Sequence, residues 1–148
     1  MKKSFVLYII LIGLWGCEQK PYKPFLLGAW KVDSTYSYYN GFSYTERKSG
    51  GDWAKNIYSE DGLMKEVKYQ TFQSYHYSWQ GLDTIVLRST SGGQPIYYQL
   101  LGLTQEQLIL KKTKRGLFSE IDGERYEIRY MSRTNLPSEE IIPFVDPR

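Results

Sequence analysis

The sequence predicts an all-β domain, a small antiparallel meander barrel of about eight or nine strands. Three observations carry that expectation. Apolar residues recur with a period of two rather than 3.6 along most of the chain. Turn signals rich in Gly, Asn and Ser punctuate it at roughly ten-residue spacing. Aromatic residues make up 16% of the 148 residues, with 14 Tyr, and such side chains suit pleated, half-buried surfaces. That length supports a single domain with an attached segment.

The attached segment comes first. Met1, Lys2 and Lys3 precede an apolar run from Phe5 to Trp15 broken only by Gly13. This run is too short to cross about 30 Å of hydrocarbon, which takes about 20 residues, so it reads as an export signal rather than a membrane span. It ends in Leu14-Trp15-Gly16-Cys17. That ending resembles the lipobox of bacterial lipoproteins, with Leu14, Gly16 and Cys17 matching and Trp15 standing where the family has a small residue. The resemblance implies a signal peptide over residues 1–16, lipidation of Cys17, and a lipid-anchored protein of the bacterial cell envelope. It leaves the membrane and the leaflet open. At about 0.8 kcal/mol per buried CH₂, several acyl chains hold a protein where one chain holds it only marginally. Residues 17–25 are then the lipidated N-terminus and a tether that Pro21 and Pro24 keep extended.

Residues 26–133 carry the strand pattern. From Trp30 to Tyr39, Trp30, Val32, Tyr36 and Tyr38 alternate with Lys31, Asp33 and Ser37, and Asn40-Gly41 then supplies the two residues that tolerate positive φ in a type I′ hairpin turn. Phe42 to Arg47 is the returning strand. Trp53 to Tyr58 follows the break at Ser49-Gly50-Gly51, and Leu63 to Tyr69 follows the turn Glu60-Asp61-Gly62. Tyr75, Tyr77 and Trp79 alternate with Ser74, His76 and Ser78. Thr84 to Leu87 is a short β-branched run, and Pro95 to Leu103 is a strand that Pro can only open or border. Leu108 to Leu110 comes after the polar turn Thr104 to Gln107. The cleanest alternation closes the domain, with Tyr126, Ile128 and Tyr130 on one face and Arg125, Glu127, Arg129 and Arg133 on the other. No amphipathic helix is expected beyond a turn at Phe25 to Leu27, and residues 134–148 are a Pro-rich tail.

Leu27-Gly28-Ala29-Trp30 places a Gly-x-Trp at the head of the first strand. With the turn at Gly62, the hairpin from Leu103 to Leu110 and the closing strand Tyr126 to Tyr130, it resembles the lipocalin-like domains of small bacterial lipoproteins. The resemblance implies a barrel in which Trp30, entered through Gly28, plugs one end as a structural residue.

Catalytic chemistry has little to build on. One Cys and one His rule out a disulfide framework and leave no Cys/His zinc set or Ser-His or Cys-His pair worth naming. Without Lys2 and Lys3 the chain has 17 basic residues against 16 acidic, too even a balance for a nucleic-acid partner. Lys111, Lys112, Lys114 and Arg115 form the one basic cluster and read as a solvated hairpin tip. No metal or other cofactor is expected.

The aromatic surplus remains. Tyr36, Tyr75, Tyr77, Trp79 and Tyr98 are the candidate lining of a cavity, since ring faces bury apolar area while hydroxyls orient a polar end. Period two fixes alternation but not which face is inside. The reading favoured by these residues is a non-enzymatic, membrane-anchored binding protein for a small hydrophobic ligand. The alternative is an interaction or inhibitor module that presents the Tyr-rich hairpin Tyr36 to Tyr44 to another envelope protein. An enzyme comes third.

Overall fold

In the computed structural model, residues 23–47, 54–68, 71–114 and 124–135 are described. The expectations for the signal peptide, Cys17 and the C-terminal tail lie outside these residues, as do those for Trp53, Tyr69 and Arg115.

Asn40 and Gly41 have φ of 46° and 89°, the pair of positive values a type I′ turn demands. They join β1 (Gly28–Tyr39) to β2 (Phe42–Arg47). Ahead of them, α1 (Lys23–Leu26) is the short turn of helix expected near Phe25. The remaining strands are β3 (Lys55–Tyr58), β4 (Leu63–Lys68), β5 (Thr71–Gln80), β6 (Thr84–Ser89), β7 (Ile96–Leu103), β8 (Gln107–Thr113) and β9 (Arg125–Thr134). All pair antiparallel in the order β2-β1-β3-β4-β5-β6-β7-β8-β9, and β9 returns to β1. Eight strands therefore close a barrel, and the ninth lies outside the closure.

That ninth strand is β2, and the length of β1 explains its place. Along one side β1 pairs with β9 from Ala29 to Tyr39. On its other side only Gly28 to Lys31 pair with β3, while Ser34 to Tyr39 pair with β2. The far half of β1 thus runs past the short β3 and carries a hairpin beyond the barrel wall.

A β-bulge at Asp33 changes which residues face inward. Val32 pairs with Met131, but Ser34 pairs with Tyr130, so Asp33 is an extra residue on β1. Trp30 and Val32 belong to the core, whereas beyond the bulge Thr35, Ser37 and Tyr39 take over the inward side opposite Arg129, Glu127 and Arg125. The sequence expectation that Tyr36 and Tyr38 share a face with Trp30 is corrected here, because one added residue moves every later side chain to the other face. Asp33 itself points outward, where its carboxylate accepts from Ser132 Oγ at 3.1 Å and meets Lys31 at 3.4 Å. A second bulge at Leu101 interrupts the β7–β8 ladder in the same way.

The core fills the half of the barrel next to α1. Leu26, Trp30, Ile85, Leu108, Leu110 and Met131 are essentially inaccessible there. Going up the same inward faces, Leu110 is followed by Lys112, Met131 by Arg129 and Glu127, and Met64 by Glu66. The charged face of β9 is therefore the inward one. Lys111, Lys112 and Lys114 do not form a hairpin tip either: Lys111 and Lys112 lie on β8 and alternate across the sheet, and Lys114 follows directly.

Candidate functional site

The end beside α1 is closed. Trp30 Nε1 donates to Leu26 O at 2.8 Å, which satisfies the one polar atom of a buried indole. The Arg133 guanidinium lies 3.9 Å above the Trp30 ring centre and donates to three backbone carbonyls, Phe25 O at 2.7 Å, Gln105 O at 2.9 Å and Leu27 O. It ties α1, the β7–β8 turn and the end of β9 together over the tryptophan. Gly28 has φ of 110°, and a Cβ there would sit 2.6 Å from an Arg133 nitrogen, so both backbone and space call for glycine.

At the opposite end the interior opens into a recess of about 160 Å³. Its apolar wall is Met64, Leu87 and Ile96, and its polar wall is Asn56, Glu66, Tyr75, Tyr98, Lys112 and Arg129. β3 supplies Asn56, β4 Glu66, β5 Tyr75, β7 Tyr98, β8 Lys112 and β9 Arg129, so the recess exists only because the barrel closes.

The charges are arranged in a chain. Arg129 Nε donates to Glu127 at 2.8 Å, its Nη1 lies 3.6 Å from Glu66, and Lys114 Nζ lies 2.7 Å from the other oxygen of Glu127. Burial alone would raise the pKa of the Glu127 carboxyl, but hydrogen bonds from Lys114 and Arg129 outweigh it and hold the group at about 2. Burial works against the charge of Arg129, yet the neighbouring Tyr98, Glu127 and Glu66 together raise its pKa above the usual arginine value. Lys112 differs. Its ammonium lies 5.9 Å from the Tyr98 ring centre, and among the described residues no carboxylate is within ion-pair distance of it. Burial, followed by the nearby Arg129, pulls its pKa down.

Two buried polar atoms among the described residues lack a hydrogen-bond partner, Asn56 Oδ1 and the Tyr58 hydroxyl. Asn56 is only 3% exposed and lines the recess. Tyr58 follows it two residues along on the same face of β3, and burial, reinforced by Tyr98, raises its pKa against the opposing pull of Arg129.

Of the aromatic candidates, Tyr75 and Tyr98 meet at the recess. Burial pushes Tyr98 up to about 12, against the opposing pull of Arg129. Tyr77 is half-buried against the core, with its ring edge-on to Tyr58 at 5.3 Å and its hydroxyl donating to Ser59 O at 2.8 Å. Trp79 packs against the core near α1, with Lys23 Nζ 5.8 Å from its ring centre. Tyr36 does not join them, since the Asp33 bulge turns it outward against Tyr126, with ring centres 6.2 Å apart. Asn56, Tyr58, Glu66 and Arg129 were not singled out from the sequence, and Lys112 was read there only as part of a solvated basic cluster. The available signal was parity: each lies an even number of residues from a core apolar residue on its own strand or is one itself.

The hairpin forms a separate surface. Tyr39, Phe42, Tyr44, Arg125 and Tyr126 border a groove of about 460 Å³, and Phe42 and Tyr44 are 80% and 66% exposed. His76 is exposed on β5, and among the described residues no group of three or more His, Cys, Asp or Glu is placed to hold a metal ion. No protein-family model matches the chain, and no curated protein matches it either.

Proposed function

We propose that this chain is a non-enzymatic envelope lipoprotein, anchored through acylated Cys17, whose lipocalin-like barrel binds a small molecule at its open end. The observation that supports binding is the asymmetry of the barrel interior. One end is sealed by Leu26, Trp30 and Arg133, while the other is a recess whose walls keep an unpartnered buried acceptor, Asn56 Oδ1. A fold stabilised only by packing gains nothing from such an atom, whose burial without a partner costs about 1–3 kcal/mol. Apolar contact from Met64, Leu87 and the Tyr75 and Tyr98 rings would hold the hydrophobic part of the ligand, as the aromatic composition suggests.

Native mass spectrometry of the full-length protein released from detergent tests the reading. A retained or added small molecule is the expected result; bare protein after exposure to cell extract and to small organic acids would remove it. Anchoring is tested separately, because Cys17→Ser should move the protein from the membrane to the soluble envelope fraction.

The exposed Phe42 and Tyr44 support a second reading, in which the β1–β2 hairpin outside the barrel docks another envelope protein. Under it, Phe42→Ser with Tyr44→Ser abolishes partner capture while leaving the thermal melt unchanged.

A further inference from the structure

Resting on the reading of the barrel as a binding site, we infer that its ligand is a small hydroxylated monocarboxylate, with the carboxylate beside Lys112 and the hydroxyl donating to Asn56 Oδ1. Charge is the first argument. The recess wall carries the cations Lys112 and Arg129 against the single carboxylate Glu66. Arg129 is already engaged by Glu66 and by Glu127, and Lys114 is engaged by Glu127. The charge left over among these groups is therefore positive, it is a single charge, and it resides on Lys112. A cationic ligand would find its only wall carboxylate occupied by Arg129. An anion carrying one charge balances the site.

Hydrogen-bond chemistry is the second argument. Asn56 Oδ1 is an acceptor with no donor, and a bare carboxylate has no donor to give it. A ligand hydroxyl can donate to Asn56, and hydroxyl groups also suit the tyrosines across the recess. Size is the third. A volume of about 160 Å³ is well below the 300 Å³ or so at which drug-sized pockets begin. Long acyl chains, isoprenoids and tetrapyrroles exceed it.

Isothermal titration of the full-length protein with 3-hydroxybutyrate and 4-hydroxybenzoate, beside butyrate, ethanolamine and decanoate, tests the inference. The hydroxy acids should bind saturably and more tightly than butyrate. Lys112→Met should weaken them by about tenfold or more, with Lys112→Arg restoring much of the loss, as for a charge-assisted contact. If Lys112→Met does not fold, Lys112→Gln takes its place. Asn56→Leu should erase the preference for 3-hydroxybutyrate over butyrate while leaving butyrate binding intact. Equal affinity for butyrate and 3-hydroxybutyrate in the parent protein, or indifference to Lys112→Met, overturns the inference. Binding of decanoate or ethanolamine without the hydroxy acids overturns it while the barrel stands as a binding site. Failure of all five probes, with bare protein in the mass spectrum, removes both.

Discussion

The Arg133 guanidinium stacks 3.9 Å above the Trp30 ring and caps the sealed end of the barrel, joined to three backbone carbonyls, Phe25 O and Leu27 O from one segment and Gln105 O from another far away in sequence. Each contact reinforces the others. The carbonyls fix the guanidinium plane, the plane covers the indole, and the indole holds α1 through Leu26 O. Trp30→Ala should cost about 3–5 kcal/mol, since a large ring is removed from a fully packed place. Arg133→Ala should cost about 2–4 kcal/mol, combining hydrogen bonds from a charged donor with a cation–π contact. Urea midpoints of the full-length protein in detergent measure both, and because the residues touch, the double variant should cost less than the sum.

Gly28 provides a sharper check of the same cap. In Gly28→Ala the new methyl meets Arg133 at 2.6 Å and the backbone remains at φ of 110°. Two penalties are combined, and only one depends on Arg133. Introducing Gly28→Ala into Arg133→Ala should therefore destabilise by less than Gly28→Ala does in the parent, with the remainder, about 1–2 kcal/mol, belonging to the backbone. An identical cost in both backgrounds would mean that the guanidinium moves aside freely.

The bulge at Asp33 predicts that substitution and deletion both have small effects. Asp33→Ala removes a half-exposed ion pair and one hydroxyl contact, worth about 1 kcal/mol or less. Deleting Asp33 brings Val32 and Ser34 together opposite Met131 and Tyr130, so a regular ladder keeps Trp30 opposite Arg133 and Tyr36 opposite Ile128. The deletion should keep the aromatic near-ultraviolet dichroism and lower the melting temperature little more than the substitution does; loss of that dichroism would mean that barrel closure needs the local twist of the bulge.

This bulge also marks where the sequence stopped being legible. Turn chemistry at Asn40-Gly41 and period-two runs such as Tyr75, Tyr77 and Trp79 were enough to find the strands, while a buried Trp30 at one end was expected only through the resemblance carried by Gly28-x-Trp30. Strand faces were not. A single added residue at Asp33 leaves no trace in composition, yet it decides that Tyr36 is outside. The same ambiguity hid the recess. Arg125, Glu127 and Arg129 look like a solvated face when read alone, and only the pairing of Met131 with Val32 and Leu108 shows that this face continues the core. The place of β2 outside the barrel was equally hidden, since it depends on β3 being too short to pair with all of β1.

Acid stability should depend on Glu127. Its carboxyl is held at about 2 in the folded protein, below the ordinary glutamate value of about 4.3, so the folded state keeps the charge where the unfolded chain takes up a proton. The contribution is present above about pH 4.3 and is lost as pH falls towards 2. Glu127→Gln should destabilise the protein at neutral pH and flatten this acid limb. Arg129→Met should move the Glu127 titration upward, observed by carboxyl-carbon NMR, because one of its two cations is gone.

At high pH the recess should contribute to stability with two opposite signs, one from Tyr98, which Tyr58, Tyr75 and Tyr77 share in direction, and the other from Lys112. Tyr98 is pushed up to about 12, so the folded protein keeps a proton that the unfolded chain releases near 10. Its contribution is complete below about pH 10 and is lost as pH rises towards 12. Lys112, with its pKa pulled down, releases its proton more readily when folded. The penalty for burying its charge therefore disappears as pH rises through its folded value, which adds stability there. The two trends overlap in the alkaline range and can be separated by substitution. Tyr98→Phe should keep the ring packing and reduce the alkaline loss, leaving the part due to Tyr58 and its neighbours, whereas Lys112→Met should remove the compensating gain and make the loss steeper. Denaturant melts between pH 9 and 12 are the measurement. Parallel alkaline limbs in the parent and in Tyr98→Phe would show that this hydroxyl ionises as freely in the barrel as in the unfolded chain.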